Sequence, residues 1–169
     1  MQVQSCPQCG GEMKNYVCPR CGYSITPPHT RVFHYEWRSK TRIFGFPLVH
    51  VAIGRNRETG RLLVAKGIIA IGQFAVGLIT ISQFGVGLLL GIGQLTAGFL
   101  AIGQVALGGY FGVGQLATGL TAIGQLALGK FVLAQVGIGR YVWSADSSDP
   151  VAIEYFTALW NWIKSTLAT

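Results

Sequence analysis

A five-residue repeat runs from Gly67 to Gly139 and constrains the fold of this chain more than any other feature. The first position is Ile, Val or Leu in most units, the second is Gly except at Ser82 and Ala134, and the fifth is usually small. A step of five residues turns an α-helix by about 140°, so the glycines would scatter around its axis. Every second unit carries Gln at its third position, namely Gln73, Gln83, Gln94, Gln104, Gln115, Gln125 and Gln135. The period therefore predicts β-structure.

Membrane-spanning helices are the alternative for this segment. No charged residue occurs from Gly67 to Gly129, a stretch long enough for two or three helical spans. About a quarter of the repeat is Gly, however, and each Gly weakens a helix by about 1 kcal/mol. Helices that pack through small residues also space them by four, not five. An integral membrane protein with Gly-rich helices remains the second hypothesis.

Strand alternation suggests how a β-repeat would pack. Positions four, five and one read large, small, large, as in Phe74-Ala75-Val76, so we expect the large residues to point inward and the small one outward. Gly at position two would turn the corner, and stacked coils would align the Gln amides in a ladder. Eight large apolar residues fall at positions that a water-exposed surface would fill with polar groups: Leu78, Leu88, Leu89, Phe99, Tyr110, Phe111, Leu120 and Phe131. Unless some point inward at corners, they mark an interaction surface.

The repeat resembles the pentapeptide-repeat family in its period and its aliphatic positions. That resemblance implies a β-solenoid with about twenty residues per coil. Two blocks of twenty-one residues, 71–91 and 92–112, favour a coil of 20–21 residues, although a flattened coil of ten explains the Gln spacing equally well. The family's outward positions are polar and here they are apolar. Its role as an acidic mimic of DNA is not carried over, because this segment is neutral.

Four cysteines near the N-terminus form two matching units, Cys6-Pro7-Gln8-Cys9-Gly10 and Cys18-Pro19-Arg20-Cys21-Gly22. The two-residue gap lets both sulfurs of a unit face one ion, and Gly after the second Cys permits the positive φ of the turn. Over residues 4–24 the pattern resembles the zinc-ribbon family. It predicts one structural Zn²⁺ on Cys6, Cys9, Cys18 and Cys21, with no open coordination position. Iron and a disulfide pair are the alternatives.

Composition changes divide the chain into segments. We expect a zinc ribbon over 1–26, a basic linker or strand over 27–42, a β-hairpin cap over 43–66, the solenoid over 67–140 and an amphipathic helix over 148–167. Asp149 or Ser148 would cap this helix. Its apolar stripe would cover the last coil or lie at a membrane surface: Ile153, Phe156, Trp160, Ile163 and Leu167. The histidines His29, His34 and His50 are expected to be surface or packing residues, since the thiolate shell is full.

The distribution of charge limits the functions that remain. Residues 1–66 carry the whole net charge of +7, while residues 67–169 are neutral. No nucleophile, phosphate-binding or acid–base motif occurs in a suitable context, so we expect no enzyme and no small-molecule substrate. The first hypothesis is a scaffolding or interaction protein, cytoplasmic or membrane-associated, that self-associates, binds a protein partner or contacts a membrane. A nucleic-acid-binding adaptor is the third, resting on the basic segment.

Overall fold

The computed structural model describes residues 5–14, 18–23, 33–56 and 59–168. They belong to two compact units, Met1–Val32 and Phe33–Thr169. In the first unit, an antiparallel bridge joins Ser5 to Glu12, and two tight turns carry the cysteines.

The second unit is mainly β, with one helix at its C-terminal end. Its elements are β1 His34–Arg38, β2 Arg42–Ile43, β3 Phe46–Pro47, β4 Val49–Gly54, β5 Val64–Trp143 and α1 Pro150–Leu167. Strands β2 and β3 pair antiparallel around a two-residue turn in which both Phe44 and Gly45 have positive φ, 52° and 83°. Such turns match the twist of a hairpin but strain a bulky residue. The Phe44 ring at this tip is 94% exposed.

Strand β4 lies between β1 and β5. It pairs antiparallel with β1, where His34 faces Gly54, and parallel with β5, where Val49 faces Ile69. Within the range of the expected hairpin, an antiparallel bridge joins Arg55 to Leu62, and the amide of Asn56 donates to the carbonyl of Arg61 (2.8 Å). The N-terminal edge of β5 is therefore covered by β4, and β4 in turn by β1.

Strand β5 repeatedly folds back on itself. A straight strand of 80 residues would be about 260 Å long, and residues ten apart would never meet. Here a Cβ placed on Gly103 would lie 2.1 Å from the carbonyl oxygen of Gly93, and the rings of Phe74 and Phe84 stack at 5.4 Å. The favoured coil of 20–21 residues is therefore wrong, since residues ten or eleven apart are already neighbours. The glycines at position two allow this close approach of backbones.

Small residues form the core of this segment, which reverses the predicted orientation. From Ala65 to Val132 a buried residue recurs every five or six positions, and most of these residues are alanine: Ala65, Ala70, Ala75, Ala101, Ala106, Ala117, Ala122 and Ala127. The neighbouring large residues are exposed, as at Val76 (50%) and Ile81 (47%). The reason is the short return distance of the chain. Buried residues five positions apart meet closely, as Gly91 and Thr96 do, so only small side chains fit there and the large ones face outward.

The buried positions are also matched in size. A Cβ placed on Gly137 would lie 2.7 Å from Cγ1 of Val142 and 2.9 Å from Cγ1 of Val132. A Cβ on Gly91 would lie 2.0 Å from Oγ1 of Thr96. In both places glycine stands opposite a larger residue five positions away in the sequence, as close packing requires.

Helix α1 packs on the last part of β5, as expected of a lid. Asp149 caps it, because its carboxylate accepts hydrogen bonds from the amides of Val151 (2.8 Å) and Ala152 (3.3 Å). Ala152 and Phe156 are buried. The predicted stripe is wrong at Leu167, which is 82% exposed, whereas Trp160 lines a cavity together with Leu133 of β5.

The ring of Tyr155 contacts the sheet. It stacks on Phe131 at 4.2 Å, and Phe131 in turn stacks on Tyr141. Its hydroxyl lies 2.8 Å from Oγ1 of the fully buried Thr121. A polar and an aromatic contact therefore act together at this end of β5.

Candidate metal centre and apolar surface

The two cysteine turns have the same hydrogen-bond pattern. The amide of Gly10 donates to the carbonyl of Cys6 (2.8 Å), and the amide of Gly22 donates to that of Cys18 (2.9 Å). Gly10 and Gly22 have φ of 70° and 74°, so the predicted positive φ after the second cysteine of each unit is confirmed. The repeated sequence units thus fold into repeated turns.

The four sulfurs meet at one point. All of their Sγ atoms lie within 4.8 Å of one another. Cys6 is 3.6 Å from Cys21, and Cys9 is 3.5 Å from Cys18. A disulfide requires about 2.05 Å, and all four cysteines are free. Sulfurs at the corners of a tetrahedral site with Zn–S bonds of about 2.3 Å stand about 3.8 Å apart. The cluster therefore fits a single metal ion.

The thiols of this cluster differ in pKa. The backbone hydrogen bond from Arg20 lowers the pKa of Cys18 to about 6. The backbone hydrogen bond from Gly11 acts in the same direction on Cys9, but hydrogen bonds with Cys21 and the other sulfurs outweigh it and raise the pKa of Cys9 to about 12. The pKa of Cys21 is also raised: its backbone hydrogen bond with Tyr23 lowers it, but Cys18, Cys6 and burial outweigh this. Four clustered sulfurs cannot all hold negative charge without a cation. A bound metal ion would supply it.

No histidine that the structure describes joins the sulfurs. The region of His29 lies outside the described residues. Nδ1 of His34 is 3.1 Å from the carbonyl oxygen of Arg55. His50 is buried (3% exposed), and its Nδ1 accepts a hydrogen bond from the amide of Lys66 at 2.8 Å. Its Nε2 lies 3.2 Å from Oε1 of Glu36, so His50 is a packed residue as predicted.

A polar cavity of 540 Å³ lies beside His50 in the second unit. Three basic side chains line it, those of Arg38, Arg61 and Lys66. Arg38 donates to the carboxylate of Glu36 and lowers the pKa of that group. Sequence reasoning missed this arrangement, because Glu36 and His50 come together only through the pairing of β1 with β4.

The outer surface of β5 is apolar. Six of the eight residues predicted to point outward are exposed: Leu78, Leu88, Leu89, Phe99, Tyr110 and Leu120. Phe111 and Phe131 are half-buried. Exposed large residues continue at positions predicted to be internal, including Phe84 (44%), Ile102 (43%) and Leu107 (42%). The apolar surface therefore includes more residues than the sequence analysis predicted.

The glutamines are exposed except Gln73, which is half-buried. A Gln follows its predecessor by ten or eleven residues, the same interval that separates neighbouring strands of β5. Within residues 59–168 no hydrogen bond joins one of these amides to another, so the predicted ladder of amide hydrogen bonds is not formed. Gln73, Gln83 and Gln94 line one groove together with Ile71, Ile81 and Ile92.

Fold and site together define a mainly β protein with a cluster of four cysteines suited to one metal ion. Comparison with protein-family models, with curated proteins and with solved structures gives no significant match for this chain. In the part of the chain that the structure describes, no helix combines the length and hydropathy needed to cross a bilayer. The Gly-rich segment forms β-structure rather than the helices of the second hypothesis.

Proposed function

We propose that this chain is a non-enzymatic structural protein whose Gly-rich segment is a two-sided β-solenoid with an outer surface that contacts lipid. The cysteine cluster holds one structural zinc ion in a small separate head. Two kinds of contact support the solenoid: backbone approaches between residues ten apart, as from Gly93 to Gly103, and ring stacks at the same interval.

The apolar surface is the observation that carries lipid contact. An alanine core leaves the aliphatic and aromatic side chains outside, among them Leu88 (74% exposed) and Phe99 (51%). Between Lys66 and Lys130 the chain has no charged residue that would keep this surface in water. Surfaces of this size and composition are covered by a partner or by lipid.

A flotation experiment tests lipid contact. The full chain, prepared in detergent, is mixed with phosphatidylcholine vesicles, the detergent is removed, and the vesicles are floated through a density gradient. We expect the protein in the vesicle fraction. Leu88→Lys combined with Phe99→Lys should lower the floated fraction, whereas Leu88→Met should leave it unchanged. A folded, monodisperse chain that stays at the bottom of the gradient would refute lipid contact.

Metal analysis tests the zinc assignment. Elemental analysis of the reduced, purified chain should give one zinc per chain. Cobalt substitution should produce the visible absorption of a tetrahedral thiolate complex. Iron in the purified protein would support the alternative cluster, and metal content that survives loss of Cys18 would place the ion elsewhere.

Self-association is the second candidate function, and the spacing of the glutamines favours it. A primary amide carries both donors and an acceptor, so two aligned rows of Gln side chains can bond to each other. In lipid such polar contacts hold segments together by about 1 kcal/mol each. Gln94→Leu with Gln104→Leu should convert dimers to monomers in sedimentation experiments in detergent. Leu95→Ile is the matched control, and unchanged dimers in the double variant would exclude this interface.

A further inference from the structure

We propose that the β5 segment crosses the bilayer with its axis along the membrane normal, so that residues 67–129 lie in the hydrocarbon core and both ends lie in the headgroup layers. This inference rests on the lipid contact proposed above. It adds the orientation of the β5 axis relative to the membrane and the depth of residues 67–129 in the bilayer.

The height of the uncharged segment matches the thickness of a bilayer. Its 63 residues, Gly67 to Gly129, make about six turns of ten or eleven residues. Neighbouring strands stand about 4.8 Å apart, so six turns rise about 29 Å. The hydrocarbon core of a bilayer is about 30 Å thick. Charges resume at Lys66 on one side and at Lys130 on the other.

The hydrogen-bond direction suits this orientation. Within lipid every backbone N–H and C=O must be bonded inside the protein. In a stack of short strands these bonds run along the axis, from each turn to the next, and only the two end turns present free edges. One end carries β4 and β1, and the other carries α1. The edges would therefore lie at the polar surfaces, where water and headgroups can bond to them.

The first end has the composition of a membrane interface. Exposed aromatic residues gather there: Phe44 is 94% exposed, Phe46 57% and Trp37 49%. The cavity lined by Arg61 and Lys66 lies just before the uncharged segment begins. Aromatic rings and basic side chains are the residues that anchor proteins at the level of the headgroups.

The second end repeats this composition. Arg140 stands ten residues after Lys130, and its guanidinium lies 5.5 Å from the ring centre of Tyr141. On α1, Nζ of Lys164 lies 5.3 Å from the ring centre of Trp160, and Trp162 is 65% exposed. Both ends of the apolar segment thus carry the same kind of anchor.

A flat orientation on the membrane surface fits less well. Successive units of the repeat lie on alternate walls, and both walls expose large residues. Phe84 and Ile102 belong to the wall that carries the glutamines, whereas Leu88 and Phe99 belong to the other. A body lying flat would immerse one wall and leave the other in water. Crossing the bilayer covers both.

Polarised infrared spectroscopy of the full chain in oriented bilayers tests the orientation. The amide I transition of β-strands follows the hydrogen-bond direction, so we expect it polarised along the membrane normal, with amide II in the membrane plane. The opposite dichroism in vesicle-bound protein would overturn this inference and leave lipid contact intact. Protein absent from the bilayers would instead refute lipid contact itself.

A pair of charged variants tests the depth. Ile102 lies near the middle of the uncharged segment and Leu128 at its end, and their exposures are nearly equal, 43% and 41%. Ile102→Lys should reduce the folded fraction in bilayers about 30-fold more than Leu128→Lys, because the cost of a charge is greatest at the midplane. Ile102→Leu is the neutral control. Equal losses in the two Lys variants would overturn the proposed depth.

Discussion

Ala101 and Ile102 are neighbours in sequence but lie on opposite sides of the sheet: Ala101 is completely buried and Ile102 is 43% exposed. The small residue faces the core and the large one faces outward. Most soluble proteins have the reverse arrangement. This arrangement follows from the close contact between buried residues five positions apart, such as Gly91 and Thr96, which leaves room only for small side chains.

A larger residue at position 101 should therefore destabilise the fold. Ala101→Leu adds three carbons at a completely buried position, and we expect a loss of about 1–3 kcal/mol in the free energy of unfolding. Ile102→Leu should change it by less than about 0.5 kcal/mol. Denaturant unfolding followed by far-UV circular dichroism in detergent measures both. Equal stability of the two variants would contradict the assignment of the core.

Glycine at 137 should be coupled to valine at 132. Gly137→Ala places a methyl group 2.9 Å from Cγ1 of Val132 and 2.7 Å from Cγ1 of Val142, so the variant should lose stability. Adding Val132→Ala removes one of the two clashes. A double-mutant cycle should then give a favourable coupling of about 0.5 kcal/mol or more. Additive effects would show that the two residues do not meet.

The hydroxyl of Tyr155 should stabilise the helix on the sheet. Tyr155→Phe removes the 2.8 Å hydrogen bond and leaves the buried Thr121 hydroxyl unpaired, at a cost of about 1–3 kcal/mol. Changing Thr121 to Val in the same chain should recover part of the loss, because no unpaired polar atom remains. Thermal unfolding of the single and double variants measures this, and a further loss in the double variant would count against it.

Metal binding by the cysteine cluster should depend steeply on pH. The pKa of Cys9 is raised to about 12 and that of Cys21 is also raised, so both are protonated thiols at pH 7 in the metal-free head. Binding must displace at least these two protons, and the affinity should fall about 100-fold for each unit by which pH is lowered below 7. Calorimetry in buffers of different ionisation enthalpy counts the protons. Release of fewer than two protons would contradict the expected protonation.

The head and the β-body should respond separately to metal removal, because they form separate compact units. Cys18→Ser should abolish metal binding and unfold residues of the head. The β-signal in circular dichroism should remain, as should the unfolding midpoint of the body. Lys14→Ser, at an exposed position of the same head, serves as control. Simultaneous loss of head and body would show that their stabilities are linked.

Local chemistry was predictable from this sequence and the direction of packing was not. The spacing of Cys6 with Cys9 and of Cys18 with Cys21 predicted the sulfur cluster and the positive φ of Gly10 and Gly22. The five-residue period predicted β-structure, and Asp149 before Pro150 predicted the helix start. These signals are local, so neighbouring residues suffice to read them.

Alternation in a strand shows which residues share a face but not which face is buried. Ala75 and Val76 were therefore assigned to opposite faces correctly and to the wrong sides. The return of the chain every ten or eleven residues determines which face is buried. The same interval separates the Gln residues in the sequence. Contacts such as that of Glu36 with His50 depend on strand order, which no local pattern gives.

Residues about ten positions apart are neighbours throughout β5. The segment can therefore be lengthened or shortened by whole pairs of five-residue units. Inserting or deleting one pair of five-residue units would preserve every remaining neighbour relation and change the height by about 4.8 Å. The number of repeats in the sequence therefore sets the height of the β-segment. Related chains with more or fewer repeats would match bilayers of different thickness while keeping the same contacts between repeats.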